Sequence, residues 1–521
     1  MMEAGQVERI PMRPRTRIPK EKILTADSSS RPVFNSRSFK SRRVLNSRSF
    51  DSNCQDHGAR TAACVTRSIP RALIADTLGY KICVSESGTR GTNMNKVQPI
   101  VALVVSILVS CPAFAQVKPG DFITPQNASK VAELVSPGVF SKVRYGMTMK
   151  IVQTERVDRP PPYYAATEKY AGQVRLSDDR RSLVGYVAGE PFPLIDPNDP
   201  DASYKIIWNS VFRPITTDDY DLRYYDCDSS FERHGRQEKQ IEYFQIGHYA
   251  GYNLVGRTEV DPMPADPDFK ATGRHWLFGL YPILAPQEIR GAGLLRWRYA
   301  DPERGDDIWT LAAGTRRLRR LNDSIMSSSA TPNGTSAHTW DPDHYSGFNA
   351  KPEQYFYKFL GEKQMLATMH AIHSPEIQCE TDGGTSVCPE AWEMRHMYVL
   401  EARPDLSRVN PLDSKTVIYM DSETWFEPYI DGYDREGNLF RSHIYWLANR
   451  DRPVPDAHIA IYPFKRSFVV AAVSTDVQSG LATVCYLPGR ESAEHECWYI
   501  NMGAVDKVFF TTDAMVRAAS F

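Results

Sequence analysis

Few groupings in this 521-residue chain have the residue types and spacing to do chemistry. Gly334-Thr335-Ser336-Ala337-His338 begins like the Gly-x-Ser-x-Gly elbow that exposes a serine for acyl transfer, but its last position is His. His495-Glu496 opens like a zinc-protease helix, yet position 499 is Tyr, so the second metal ligand is missing. His370 and His373 share a face only if the segment is helical, and ordinary surface or core histidines are the simpler reading. Trp340-Asp341-Pro342-Asp343-His344 gathers two carboxylates and an imidazole in a loop whose Asp and Pro content produces such clusters by chance. The acid pairs Asp218-Asp219 and Asp306-Asp307 are of a kind commoner at turns than in active sites. Neither a phosphate-binding loop nor a dinucleotide fingerprint occurs. The expectation is a protein that binds rather than catalyses, with no cofactor and no metal.

Groups suited to binding are easier to find. Arg316-Arg317-Leu318-Arg319-Arg320 concentrates positive charge. On a strand Arg316 and Arg320 share one face, Arg317 and Arg319 the other. One reading is a solvated strand paired with Asp301, Glu303, Asp306 and Asp307 just upstream. The other is a patch for anionic headgroups or a docking partner. Cys227, Cys379, Cys388, Cys485 and Cys497 lie in the later part of the chain, where an oxidising compartment favours pairing. Nearest-neighbour pairing joins Cys379 to Cys388 and Cys485 to Cys497, each contributing roughly 2–3 kcal/mol. Four cysteines allow three pairings, so connectivity stays open. Cys227, between Asp226 and Asp228, is left over as a poor nucleophile.

The elements that must position these groups read mainly as strands. Lys239–Val260 suggests strand, turn at Ala250-Gly251, strand. Trp276–Tyr299 gives short apolar runs punctuated by Pro and Gly. Asp307–Ala312 and Thr315–Leu321 flank Ala313-Gly314 as a hairpin. Met394–Ala402, Lys415–Met420, Ile459–Ile461, Ser467–Val473, Ala482–Leu487 and Trp498–Asn501 continue the pattern. Thr424–Ala448 folds back around Asp434–Asn438. Helices are expected only over Asn127–Val135, stopped by Pro137-Gly138, over Glu353–Leu360, and over Thr512–Ala519, capped by Thr512 or Asp513. No repeat of fixed period appears, which argues against a propeller or solenoid. The fold class is mainly β (α+β): a large curved antiparallel sheet, as a half-open barrel or a sandwich, with a few helices.

Composition divides the chain. The whole has 62 Lys+Arg against 63 Asp+Glu, 42% hydrophobic residues and 11% aromatics. That excludes a disordered, collagenous or multi-span membrane protein. Residues 1–93 nevertheless carry 17 Lys+Arg and 8 Asp+Glu, no Trp and one Tyr, Tyr80. They read as a disordered upstream extension outside the true translation start. Met94–Ala115 reads as a secretory signal peptide: Lys96, an apolar run over Ile100–Val109, then Ala113-Phe114-Ala115 before Gln116. Leu108-Val109-Ser110-Cys111 also fits a lipoprotein box that would acylate Cys111. Pro112 directly after the cysteine and the downstream Ala-Phe-Ala site favour plain export. Residues 116–521, read as a single β-rich envelope domain, keep 44 Lys+Arg against 55 Asp+Glu. So acidic a surface excludes a nucleic-acid partner.

Several motifs together carry a resemblance. Gly189-Glu190-Pro191-Phe192-Pro193 is followed by Lys205-Ile206-Ile207-Trp208-Asn209, then by Arg298-Tyr299-Ala300-Asp301-Pro302, Asp306-Asp307-Ile308-Trp309 and the Arg316–Arg320 run. Val417–Trp425 then leads into Tyr433-Asp434-Arg435-Glu436-Gly437. From about Asp121 to the C-terminus the chain resembles the exported bacterial family of domain of unknown function 1329. The resemblance implies a fold like the periplasmic lipoprotein carriers LolA and LolB, whose curved sheet holds acyl chains under helices. It also implies a location at the periplasm or outer-membrane periphery of a Gram-negative bacterium. A resistance-nodulation-division-type transporter or an outer-membrane protein is the implied partner. The chain is about twice the length of the small carriers, so its extra segments could cover or replace the cavity. Trp208, Trp309 and Trp425 are the candidate ligand contacts, with Arg316, Arg317, Arg319 and Arg320 for an anionic group. The functional expectation is a carrier for a lipid or other hydrophobic molecule. The alternatives are a non-catalytic adaptor of a membrane complex and, less favoured, an exported hydrolase.

Overall fold

The computed structural model describes residues 117–233, 236–321, 347–372, 379–458, 460–487, 489 and 498–519, with only the backbone for 231–233 and 236–244. These residues fall in one compact unit, Val105–Phe521. Residues 1–93, the signal segment, Cys111, Gly334–His338, Trp340–His344, His373, His495, Glu496 and Cys497 lie outside them. Among the described residues no helix is long and apolar enough to cross a membrane.

The described chain opens with β1 (Phe122–Ile123), a 3-10 turn (Pro125–Val131), helix α1 (Pro137–Tyr145), β2 (Met149–Ile151) and helix α2 (Pro161–Tyr170). A separate small hairpin, β3 (Arg175–Leu176) and β4 (Leu183–Val184), precedes helix α3 (Ala202–Val211). Then come β5 (Asp219–Arg233), β6 (Arg236–Asn253), β7 (Arg274–Leu280), β8 (Ile283–Ala285), β9 (Gly293–Tyr299), β10 (Asp307–Leu311) and β11 (Leu318–Leu321). The second half holds β12 (Tyr355–Ala367), β13 (Glu390–Pro404), β14 (Lys415–Asp421), β15 (Tyr429–Tyr433) and β16 (Leu439–Arg450). It continues with β17 (Arg466–Asp476), β18 (Leu481–Tyr486) and β19 (Trp498–Ile500), then a helix over Thr512–Ala518.

Pairing follows the order β11-β10-β9-β7-β6-β5-β18-β17-β16-β15-β14-β13-β12, antiparallel throughout. β8 extends the β6 edge, β19 extends that of β5, and β2 lies parallel to the start of β13. The sheet curls so far that its halves meet. Arg298 of β9 donates to Asn349 O at 2.7 Å, Lys351 sits 3.8 Å from Asp306, and Arg408 pairs with Glu303 at 2.8 Å. One continuous apolar core joins side chains of both halves. The fully buried β17 is apolar along most of its length because both its faces are covered. A second, smaller core lies on the other face of β6, β7, β9 and β10, where Phe510 and Met515 from the C-terminal segment pack against Leu277, Leu295 and Leu311.

Several expected elements are different in kind. Pro137-Gly138 starts a helix instead of stopping one, because Ser136 caps it by accepting Val139 N and proline suits the first helical turn. Gly138 is required there: a Cβ would overlap the Ser442 side chain. Residues 125–131 make a 3-10 turn in place of the expected helix over Asn127–Val135. Glu353–Leu360 is not an α-helix: Glu353 and Gln354 end a 3-10 turn, and from Tyr355 the chain is β12, where Tyr355 and Tyr357 point inward and Phe356 and Lys358 outward. Ala250-Gly251 is no turn; it lies within β6, where a Cβ on Gly251 would overlap Tyr220. Residues around Ile461 form no strand, and Thr511, not Thr512 or Asp513, caps the last helix by accepting Ala514 N. Helices α2 and α3 and strand β5 had no sequence expectation.

Cysteine pairing is also corrected in part. Cys379 and Cys388 are bonded, as neighbour pairing expects. Cys485 is bonded to Cys227, not to Cys497, because β5 and β18 set the two residues directly opposite each other with Cα atoms 4.0 Å apart. Cys227 is therefore structural.

Candidate ligand-binding cleft

Where the two halves of the sheet approach, a narrow cleft with a cavity volume of about 70 Å³ remains between α3 and the strands. Its walls come from Val211 and Phe212 at the end of α3, Tyr220 of β5, Trp276 of β7 and Phe348 ahead of β12. Their spacing follows from register: β7 alternates faces, so Trp276 and Phe278 look inward, ring centres 5.3 Å apart, while Leu277 joins the outer core. Phe348 stands edge-on to Tyr355 at 5.4 Å, and Phe212 stacks on Tyr186 at 4.0 Å.

Two guanidiniums sit among these rings. Arg298 lies 5.1 Å from the centre of Trp276 and donates to Asp306 at 3.0 Å and to Asn349 O. Arg213 donates to Asn349 Oδ1 at 3.1 Å and lies 3.6 Å from Glu427. Asn349 thus ties both cations together through its side chain and its backbone. Burial pushes the Glu427 carboxyl up, with Arg213 opposing. Burial likewise disfavours charge on Asp306, but Arg298, Arg296 and Lys351 outweigh it and hold that carboxyl well below the usual range. The His275 imidazole, enclosed and close to Arg298, is held down at about 3 and is neutral at physiological pH. The lining thus offers ring surface, guanidiniums and amides, an inventory suited to holding a ligand with an apolar body and a polar end.

The sequence-derived candidates do not assemble here. Trp208 is buried on α3, stacked on Phe212 at 6.3 Å and donating to Arg180 O at 3.3 Å, so it backs the cleft wall without lining it. Trp425 is buried with φ 53°, parallel to Tyr398 at 5.7 Å. Trp309 lies on the other side of the sheet, against Trp297 at 4.4 Å. Of the arginine run, only Arg319 and Arg320 lie within a strand. Arg320 pairs with Asp307, as the solvated-strand reading expects. Arg316 adopts φ 50° in the turn, so strand alternation does not extend to it. Asp306 points elsewhere, into the buried cluster with Arg296 at 2.6 Å. His370 Nδ1 meets Glu393 at 2.9 Å. Sequence reading missed Arg213, Trp276, Phe348 and Asn349. Arg298 was quoted within a motif, and Arg213 follows Trp208 by five residues, so the motifs pointed at the neighbourhood though not at the residues.

A family model described as "Protein of unknown function (DUF1329)" matches residues 122–516. An uncharacterized protein of Pseudomonas aeruginosa is 24% identical over 344 residues, 63% of this chain and 69% of the relative. Among solved structures, a DUF1329 family protein from Desulfovibrio piger aligns with 16% identity and a TM-score of 0.35, covering 58% of this chain and 92% of that one. A LolA superfamily protein from Nitrosomonas europaea aligns with 12% identity and a TM-score of 0.30, covering 57% and 92%.

Proposed function

The chain belongs to the DUF1329 family, and from that premise we propose that it is a non-enzymatic carrier of the bacterial envelope that holds a hydrophobic or amphiphilic molecule in the cleft between α3 and the strands. The observation that carries this reading is the lining itself: Phe212, Tyr220, Trp276 and Phe348 around Arg213 and Arg298. The mechanism is physical. Ring surface shields apolar groups at roughly 0.8 kcal/mol per buried CH₂, and the guanidiniums orient a polar end. The enclosed part of the cleft is only about 70 Å³, well below the roughly 300–1,000 Å³ of ligand pockets, so on this reading the cleft widens around its cargo by movement of α3 or of the segment ahead of β12. A membrane transporter of the resistance-nodulation-division type, or an outer-membrane protein, is the proposed donor or acceptor.

The competing reading is a non-catalytic adaptor, favoured by the packed interior around Trp392, Trp446 and Trp498, all almost fully buried. Native mass spectrometry of the chain purified from the envelope without detergent, with lipid extraction in parallel, separates the two. A stoichiometric co-purifying molecule, reduced in a Val211→Trp variant that fills the cleft, is the expected result. A chain that carries nothing and also takes up no added lipid overturns the carrier reading in favour of the adaptor.

A further inference from the structure

The turn between β10 and β11 and the strand after it are exposed over residues 314–320, and a Cβ on Gly314 would meet nothing within 4 Å. Arg316, Arg317 and Arg319 are all exposed there, and Leu318 between them is 39% exposed. An open cleft beside the tip adds Arg290, and Glu288 is the one carboxylate that lines it. Among the described residues Arg290, Arg316, Arg317 and Arg319 have no ion-pair partner. Many other surface arginines do: Arg156 with Asp158, Arg180 with Asp201, Arg403 with Glu401, Arg408 with Glu303 and Arg452 with Asp451. Uncompensated cations gathered on one exposed turn of a chain with 55 acidic against 44 basic residues over 116–521 create a strongly polarised surface.

We infer that this tip is a membrane-contact device that seats the protein on an anionic bilayer, with Arg290, Arg316, Arg317 and Arg319 at the headgroups and Leu318 entering the interface. A bilayer fits better than an acidic protein partner because the exposed run bears a single large apolar side chain, Leu318, too little for the apolar centre of a protein interface. The acidic remainder is repelled by the same surface, so the approach is tip first. Guanidiniums on long stems reach headgroup phosphates while their methylenes lie against the apolar boundary. Each adds about fivefold to partitioning, and the attraction falls as salt rises. The inference is independent of the cargo reading, since a carrier and an adaptor both work at a membrane.

The test is sedimentation of the full chain with vesicles of phosphatidylcholine alone and of an equal mixture with phosphatidylglycerol. Binding to the mixed vesicles only, reduced by salt, is expected. The variant with Arg316→Gln, Arg317→Gln and Arg319→Gln should lose binding on the order of a hundredfold, and Leu318→Asp should weaken it too. Circular dichroism should match the parent chain, because Arg316, Arg317 and Arg319 are exposed and form no ion pair among the described residues. Failure of the parent chain to bind mixed vesicles overturns the inference, as does equal binding by the triple variant. Capture of an acidic protein without vesicle binding would assign the tip to that partner instead. None of these outcomes bears on cargo found by native mass spectrometry.

Discussion

Trp425 Nε1 donates to Glu190 Oε1 at 2.7 Å, joining two sequence motifs 235 residues apart. Glu190 is almost fully buried, and its other oxygen pairs with Arg159, whose guanidinium lies 6.0 Å from the Trp425 ring centre. Thr167 Oγ1 fixes the Glu190 backbone N–H at 2.8 Å. Around Trp425, Asp421 Oδ1 accepts Glu423 N and Thr424 N, closing the tight turn that forces the tryptophan to φ 53°. These residues hold the connection between β14 and β15 against the segment ahead of α3, and so set the position of the cleft wall.

Glu190→Ala leaves the buried Trp425 indole N–H without its acceptor and removes the carboxylate from Arg159, which keeps only the Glu423 and Ser422 carbonyls. A loss of roughly 3 kcal/mol in urea unfolding is expected, with a changed tryptophan emission spectrum. Glu190→Gln, which can still accept from Trp425, should lose less. Equal stability of Glu190→Ala and the parent would mean the contact is incidental.

Asp431 receives the amino end of α1: Gly138 N donates to Oδ2 at 2.9 Å and Ser136 Oγ to Oδ1 at 3.2 Å. Burial pushes its carboxyl up to about 6, and burial does the same to Asp219. For both, the folded value lies above the unfolded one near 3.8. The protonated forms therefore stabilise the fold fully below about pH 4, and that contribution is lost as pH rises through about 6. Asp306 works the other way, its contribution present above its unfolded value and lost as pH falls below it. Urea midpoints should rise from about pH 7 to about pH 5 and fall again below about pH 4. Asp431→Asn should flatten the upper part of that profile.

Gly138→Ala places a methyl inside the Ser442 side chain and against Asp431. Displacing α1 from β15 and β16 should cost roughly 2 kcal/mol or more. Gly172→Ala, where nothing lies within 4 Å, is the matching control and should be near neutral by thermal unfolding.

The two disulfides close loops of very different length, 258 and 9 residues apart in sequence. In the chain-entropy account, removing Cys227–Cys485 as a double alanine variant should cost about 5.5 kcal/mol, against about 2.5 for Cys379–Cys388. Non-reducing peptide mapping should recover Cys227 linked to Cys485. Recovery of Cys485 linked to Cys497 would contradict the strand register.

Trp276 supplies the largest ring of the cleft. Trp276→Ala should weaken binding of a hydrophobic fluorescent probe about tenfold, with the fold retained by circular dichroism. Unchanged probe affinity would place the ligand elsewhere.

The β character, most strand positions from Asp307 onward and the Cys379–Cys388 bond were readable along the chain, because alternation and turn residues act over a few positions. Local signals failed where a distant contact decided the outcome. Glu353–Leu360 carries residues that a helix would accept, but pairing with β13 made it a strand from Tyr355 onward. Pro137-Gly138 reads locally as a stop until Asp431 and Ser442 define the seat that only a glycine fits. The arginine run could be seen as a charge cluster, yet which arginines remain unpaired depended on where Asp306 and Asp307 pointed. Likewise, the cleft residues Arg213, Trp276, Arg298, Phe348 and Asn349 come from four separate segments. Composition and periodicity by themselves determined a mainly β fold with an acidic surface. Only the curl of the sheet, which brings residues hundreds of positions apart into one register, decided the cleft, the long disulfide and the exposed cationic tip.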